Sequence, residues 1–112
     1  MLGLVDTIDM LLSEDVGDHR GLSDDTTRFI KAMLLNDTLF NSIHSSIYDC
    51  VLVTTLPVEI GTRIMGVAFF DKKKRFKDGC GILTSHVKSI TKLRHELYRV
   101  ETNNSDYIVV MK

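Results

Sequence analysis

The residues best placed to do chemistry are the cations of Lys72-Lys73-Lys74-Arg75-Phe76-Lys77, the densest charge cluster in the chain, with one aromatic among them. Such a run can hold phosphates by charge while Phe76 stacks on a base. If Z of these cations met phosphates, affinity would fall with salt at a log-log slope of about -0.9Z. The structural alternative is a solvated turn whose lysines keep a strand edge soluble, with Phe76 in the core. Two polar pairs, Thr84-Ser85 and Asn104-Ser105, could recognise a small polar ligand such as a nucleotide, although such residues more often end strands and bond the local backbone. The histidines His19, His44, His86 and His95 are scattered and none has the paired spacing of a zinc site. Cys80 and His86 could face one another across a hairpin as thiolate and base, against the plainer reading of a buried thiol and a surface imidazole. No spacing calls for a metal or a cofactor, and the expectation is a protein that is not an enzyme.

The elements that must position these residues follow from composition and period. With 112 residues, 44% hydrophobic, 26% charged, one proline and a net charge of -1, the chain has the profile of one soluble globular domain. It carries no apolar run near the roughly 20 residues that span a bilayer. The first ten residues lack a basic stretch and contain Asp6 and Asp9, unlike a signal peptide. Cys50 and Cys80 read as free thiols in a reducing, cytoplasmic setting.

The near-neutral total is a cancellation. Residues 1–50 hold nine acidic side chains against three basic ones, a balance of -6, and residues 51–112 hold eleven basic against six acidic, a balance of +5. Either the two parts face one another, within a chain or between subunits of a homo-oligomer, or one of them meets an outside partner. Asp15, Asp18, Asp24 and Asp25 are candidates on the acidic side, able to mimic a nucleic-acid backbone toward a basic protein.

Helical spacing of Leu4, Val5, Ile8, Leu11 and Leu12 predicts a short amphipathic helix over 3–13. Ser23 is a good N-cap with Asp24 and Asp25 in the first turn, and Phe29, Ile30, Met33 and Leu34 mark a buried face. Asn36-Asp37 predicts a break, followed by a stripe of Leu39, Phe40, Ile43 and Ile47. From residue 50 the period is that of strands: Val51–Thr55 up to Pro57, Thr62–Phe70 with a bulge or bend at Gly66, and a short hairpin of Arg75–Lys77 with Cys80–Thr84 around Asp78-Gly79. Val87–Thr91 is a further strand. The C-terminal hairpin is the most determined piece: a type I′ turn at Asn103-Asn104 pairs Val100 with Tyr107 and Tyr98 with Val109, and opposes Glu101 to Asp106, a repulsion that Arg99 or solvent can relieve.

The expected fold is α+β, one domain over 1–112: two or three helices (1–49) packed on an antiparallel sheet of five or six short strands (50–112), an SH3-like small barrel by preference.

From Arg75-Phe76-Lys77-Asp78-Gly79 onward, the steps Thr84-Ser85-His86-Val87 and Thr102-Asn103-Asn104-Ser105-Asp106-Tyr107 resemble small uncharacterised proteins of tailed bacteriophages, with their T-S-x-V and T-x-N-S-x-Y patterns. The resemblance implies a small-barrel tail, a phage origin and an accessory role in the host cytoplasm. In that role a compact protein binds and blocks a host enzyme or defence component, or sequesters a host molecule. It carries over no catalytic residue. The expectation is therefore a non-enzymatic binding protein with a host-protein partner, no membrane and no cofactor. The alternative is a small nucleic-acid- or nucleotide-binding module on the basic hairpin.

Overall fold

A computed structural model describes residues 3–15 and 21–112. The first helix, α1 (Leu4–Glu14), buries Val5 and Ile8 and starts beside Glu96, whose carboxylate accepts from the Val5 amide at 3.4 Å. That places negative charge at the end of the helix where amides are unpaired. Helix α2 (Asp24–Asn36) has the expected Ser23 cap, accepting from the Thr26 amide at 3.4 Å. Asp37 both ends α2 and caps the four-residue α3 (Thr38–Asn41) through the Phe40 amide at 2.8 Å, so the predicted break is where the chain turns. A 3₁₀ turn at Ser45–Ile47 leads into the sheet.

Five strands follow: β1 (Cys50–Val53), β2 (Arg63–Phe69), β3 (Cys80–Arg94), β4 (Leu97–Thr102) and β5 (Asp106–Val110). Neighbours along the chain pair antiparallel, and β1 pairs with β5 in parallel, so the sheet closes on itself. The expectation of a purely antiparallel sheet is corrected here, and the reason is parity. In a five-strand meander whose neighbours alternate in direction, the first and last strands point the same way and can only close in parallel. The count of short strands is corrected too. Cys80–Thr84 and Val87–Thr91 belong to one 15-residue strand, β3, whose first half pairs with β2 and second half with β4. Its register shifts at Val87/Ser89 and Lys92/Arg94 let it curve between two neighbours. Arg75–Lys77 form no strand.

Closure produces two cores. Cys50, Leu52, Val100, Tyr107 and Val109 point into the sheet's interior with Ile64, Ala68, Ile82 and Val87. Val51, Val53, Phe69, Leu97, Ile108 and Val110 point outward under Val5 and Ile8 of α1, Ile30 and Leu34 of α2, and Phe40 of α3. Strand β1 is therefore buried on both faces, which is why its sequence is an unbroken apolar run. Gly66 lies where a Cβ would come within 2.7 Å of the Val53 carbonyl oxygen, so β1 and β2 can approach only because a side chain is missing there.

The C-terminal hairpin has the predicted register, with Val100 opposite Tyr107, Tyr98 opposite Val109 and Glu101 opposite Asp106. Arg99 bridges the two acids, pairing with Glu101 and, at 3.2 Å, with Asp106. The turn type differs. Neither Asn103 nor Asn104 has positive φ, so the turn is not type I′. Instead Thr102 and Ser105 bond one another through the Thr102 hydroxyl, and the tip docks on β3, Asn103 N donating to the His86 carbonyl oxygen at 3.1 Å. Phe29, expected on the buried face of α2, is 55% exposed: the helix turns Ile30 and Leu34 to the sheet and leaves Phe29 outside their arc.

Candidate functional site

The basic segment is a loop joining β2 to β3, organised from within by Asp71. Its carboxylate side chain is fully buried and accepts from the amides of Lys73 (3.3 Å), Arg75 (2.7 Å) and Phe76 (3.2 Å) and from the Arg75 guanidinium at 3.0 and 3.2 Å. Burial pushes the Asp71 carboxyl up, but the Arg75 hydrogen bonds and charge outweigh it and hold the group below its ordinary range. At the far end of the loop Asp78 accepts from the Phe70 amide at 2.7 Å and pairs with Lys31 of α2 at 2.7 Å. Those contacts outweigh burial and lower its pKa as well. Gly79 then turns the chain with φ +86, where an added Cβ would strike the Thr27 hydroxyl.

Three of the cations have partners within the chain. Lys72 donates to the Tyr48 carbonyl oxygen at 2.7 Å and lies 3.9 Å from the Tyr48 ring centroid. Lys73 reaches the Asn104 carbonyl oxygen (3.2 Å), the Ser105 hydroxyl (3.1 Å) and the Asp49 carboxylate (3.6 Å). Arg75 donates to the same Ser105 hydroxyl at 2.8 Å and stacks on Phe76 at 4.9 Å. Lys74 and Lys77 are exposed. The fold thus brings the basic loop against the hairpin tip, joining two of the candidate groups read from the sequence. Around this cluster, burial and the Asp71 charge push the Cys50 thiol up to about 12, and burial raises Tyr107.

The other polar candidates have structural partners. Ser85 Oγ accepts from the Asn104 amide at 3.1 Å. Thr84 Oγ1 accepts from the Ile64 amide at 2.9 Å, at the register shift between Arg63 and Met65 where the backbone ladder lapses, and donates to the Ser85 carbonyl oxygen. Cys80 and His86 lie six residues apart on one strand, about 20 Å along it at ~3.3 Å per residue, so the expectation that they meet across a hairpin is corrected. Among the described residues no group of three or more His, Cys, Asp or Glu side chains is placed to hold a metal, and no helix is long and apolar enough to cross a membrane.

On the acidic side, Asp15 accepts from Ser23 and, at 2.7 Å, from Thr26, which ties the end of α1 to the start of α2. Asp24 and Asp25 are exposed in the first turn of α2, and Asp25 pairs with Arg28. Asp18 lies outside the described residues.

Sequence reasoning missed two features. Asp71, at the end of a strand and just before a basic run, had the signal of a side chain that bonds the amides following it. The second is an apolar ridge along the solvent side of α2, where Phe29 and Leu35 are 55% and 56% exposed with exposed Ala32 between them. The spacing i, i+3, i+6 makes the three neighbours on one ridge.

No family model matches the chain, and no solved structure matches it. It is 56% identical over 112 residues, the whole of both chains, to the "Uncharacterized 12.8 kDa protein in cd-pseT intergenic region" of Enterobacteria phage T4. A match of that strength along the full length shows kinship, and the chain belongs to the same phage protein family as that 12.8 kDa protein.

Proposed function

We infer that the protein is a non-enzymatic phage accessory protein that binds a host protein, an enzyme or a component of host defence, and acts by occupying its surface. The observation that supports this reading best is the Phe29–Ala32–Leu35 ridge, which ends beside Asp24 and Asp25. Neighbouring exposed apolar side chains bordered by exposed charged ones, Asp24 and the Asp25–Arg28 pair, resemble the anchor and rim of a protein interface. Covering the exposed halves of Phe29 and Leu35 would contribute about 1–2 kcal/mol each, and the acids would steer a basic partner. The scaffold that goes with this reading is a small SH3-like barrel, supported by the closed ring of five strands.

The alternative, nucleic-acid or nucleotide binding by the basic loop, has less support. Lys72, Lys73 and Arg75 already hold partners within the chain, leaving Lys74 and Lys77 to act. Affinity capture of the tagged protein from lysate of its bacterial host, run beside the Phe29→Ser/Leu35→Ser variant, tests the reading. A host protein retained by the wild type and lost from the variant supports it. Equal retention by both, or retention of nucleic acid alone, overturns it.

A further inference from the structure

Closing the ring leaves part of β3 without a neighbour. Residues 80–86 of the strand pair with β2 and residues 87–94 with β4, so each half has one side that no strand covers. In the second half that side is met at Val87, which accepts from the Gly61 amide at 2.9 Å and donates to the Thr62 carbonyl oxygen at 2.8 Å. Beyond it, residues 89–92 pair regularly with residues 98–101 of β4, between the two register shifts. In an antiparallel ladder alternate residues turn N–H and C=O to the partner, and the residues between them turn both groups away. Among the described residues nothing bonds the main-chain groups that residues 89–92 turn away from β4. Thr91 and Lys92 are exposed there, and Ser89 and Ile90 are partly buried.

The side chains along this edge are cationic. Residues 88–95 include Lys88, Lys92 and Arg94 and no acid. All three cations are exposed, and none has a carboxylate partner among the described residues: Lys92 Nζ lies 5.9 Å from the Tyr98 ring centroid, and Arg94 Nε donates to Ser42 Oγ at 3.0 Å. Glu96, next along the chain, accepts from the Val5 amide, and Glu101, opposite Ser89, is paired with Arg99. Glu59 is exposed on a cavity wall shared with Ile90, which leaves the balance of the edge positive. Lysines on an edge resist pairing with a like edge, so a second copy of this chain is a poor occupant. Phosphates of a nucleic acid would suit the cations and the N–H groups but would meet the outward carbonyl oxygens as like partial charges. A strand of peptide matches both main-chain groups, and an acidic one matches the cations.

We propose that the open edge of β3 at residues 89–92 takes an extended acidic segment of a protein partner as an added strand. Main-chain hydrogen bonds hold the segment to the edge, and Lys88, Lys92 and Arg94 select its carboxylates. The site is separate from the α2 ridge and stands whether or not that ridge binds a host protein.

The test is an amide-detected NMR titration of the full chain with a capped peptide of alternating threonine and glutamate. Its comparisons are the same peptide with lysine for glutamate, the glutamate peptide N-methylated throughout, and single-stranded oligothymidylate. Saturable shifts centred on residues 89–92 are expected with the glutamate peptide, together with slowed hydrogen exchange at alternate amides of that run. The lysine peptide and the N-methylated peptide should each bind at least about tenfold more weakly. Lys88→Glu/Lys92→Glu, at two exposed positions, should weaken the glutamate peptide about tenfold or more without lowering the melting temperature, whereas Lys74→Ser/Lys77→Ser in the basic loop should change it by less than about threefold. Shifts centred elsewhere, no slowed exchange, equal affinity for the lysine or the N-methylated peptide, or affinity unchanged in Lys88→Glu/Lys92→Glu overturns the proposal. Tighter binding of oligothymidylate than of the glutamate peptide at the same residues assigns the edge to nucleic acid and overturns it as well.

Discussion

Replacing Asp71 by alanine should loosen the loop between β2 and β3 and destabilise the whole fold. The carboxylate receives three backbone amides and two guanidinium contacts, of which the Arg75 amide at 2.7 Å is the shortest. A hydrogen bond to a charged acceptor is worth about 1.5–3 kcal/mol, and the exposed loop amides can turn to water when it is lost. Taking one full amide bond at about 2 kcal/mol and discounting the Arg75 pair to about 1 kcal/mol, because the Arg75 side chain is 29% exposed, gives about 3 kcal/mol. Unfolding entropy of about 2.1 cal/mol/K per residue makes about 0.24 kcal/mol/K for this chain, so the melting temperature should fall by about 12 °C at pH 7.

The pH dependence gives an independent check. The folded pKa of Asp71 lies below the ordinary 3.8, so its stabilisation is present above that value and lost as pH falls through the folded pKa. Melting curves by circular dichroism should therefore separate wild type from Asp71→Ala at neutral pH and converge in strong acid. A fall of less than about 3 °C, or a difference as large at pH ~2 as at pH ~7, would refute the reasoning.

Thr84→Val should cost about 2 kcal/mol in urea unfolding by leaving the Ile64 amide without its acceptor, whereas Thr84→Ser should stay near wild type. Gly79→Ala combines positive φ with a collision at Thr27 and should cost about 2–3 kcal/mol, while Gly61→Ala, also at positive φ but with nothing within 4 Å, should cost about 1 kcal/mol. A thiol reagent at pH ~8 should modify the half-buried Cys80 in the native protein and reach Cys50, fully buried and pushed up to about 12, only on unfolding. Mass spectrometry of the labelled peptides reads the order, and early labelling of Cys50 would show the interior to be open.

How much of this was legible in the sequence depended on the range of the interaction. The cap at Ser23, the break at Asn36-Asp37 and the register of the last hairpin are local, so residue type and alternation sufficed for them. The hairpin's turn type was not legible, because asparagine accepts more than one turn and the choice is made by docking of the tip on β3. Ser85-His86 reads as a polar break between two short strands, yet β3 runs through it because each half has a neighbour to pair with. Periodicity placed Phe29, Ile30, Met33 and Leu34 on one side of α2 without saying how wide an arc the sheet would cover, and Phe29 fell outside it.

The candidate sites were harder to read for the same reason. A run of cations states a charge, but Lys73 and Arg75 find their partner Ser105 some 30 positions away.

The central claim is that the α2 ridge, and not the basic loop, binds a host protein. Its most direct test is the affinity of the captured host protein, measured at fixed salt, for the wild type, for Phe29→Ser/Leu35→Ser and for Lys74→Ser/Lys77→Ser. The account predicts a loss of about a hundredfold or more for the ridge variant and a change within about threefold for the loop variant. The opposite ranking, with the loop variant losing binding and the ridge variant retaining it, would contradict the account.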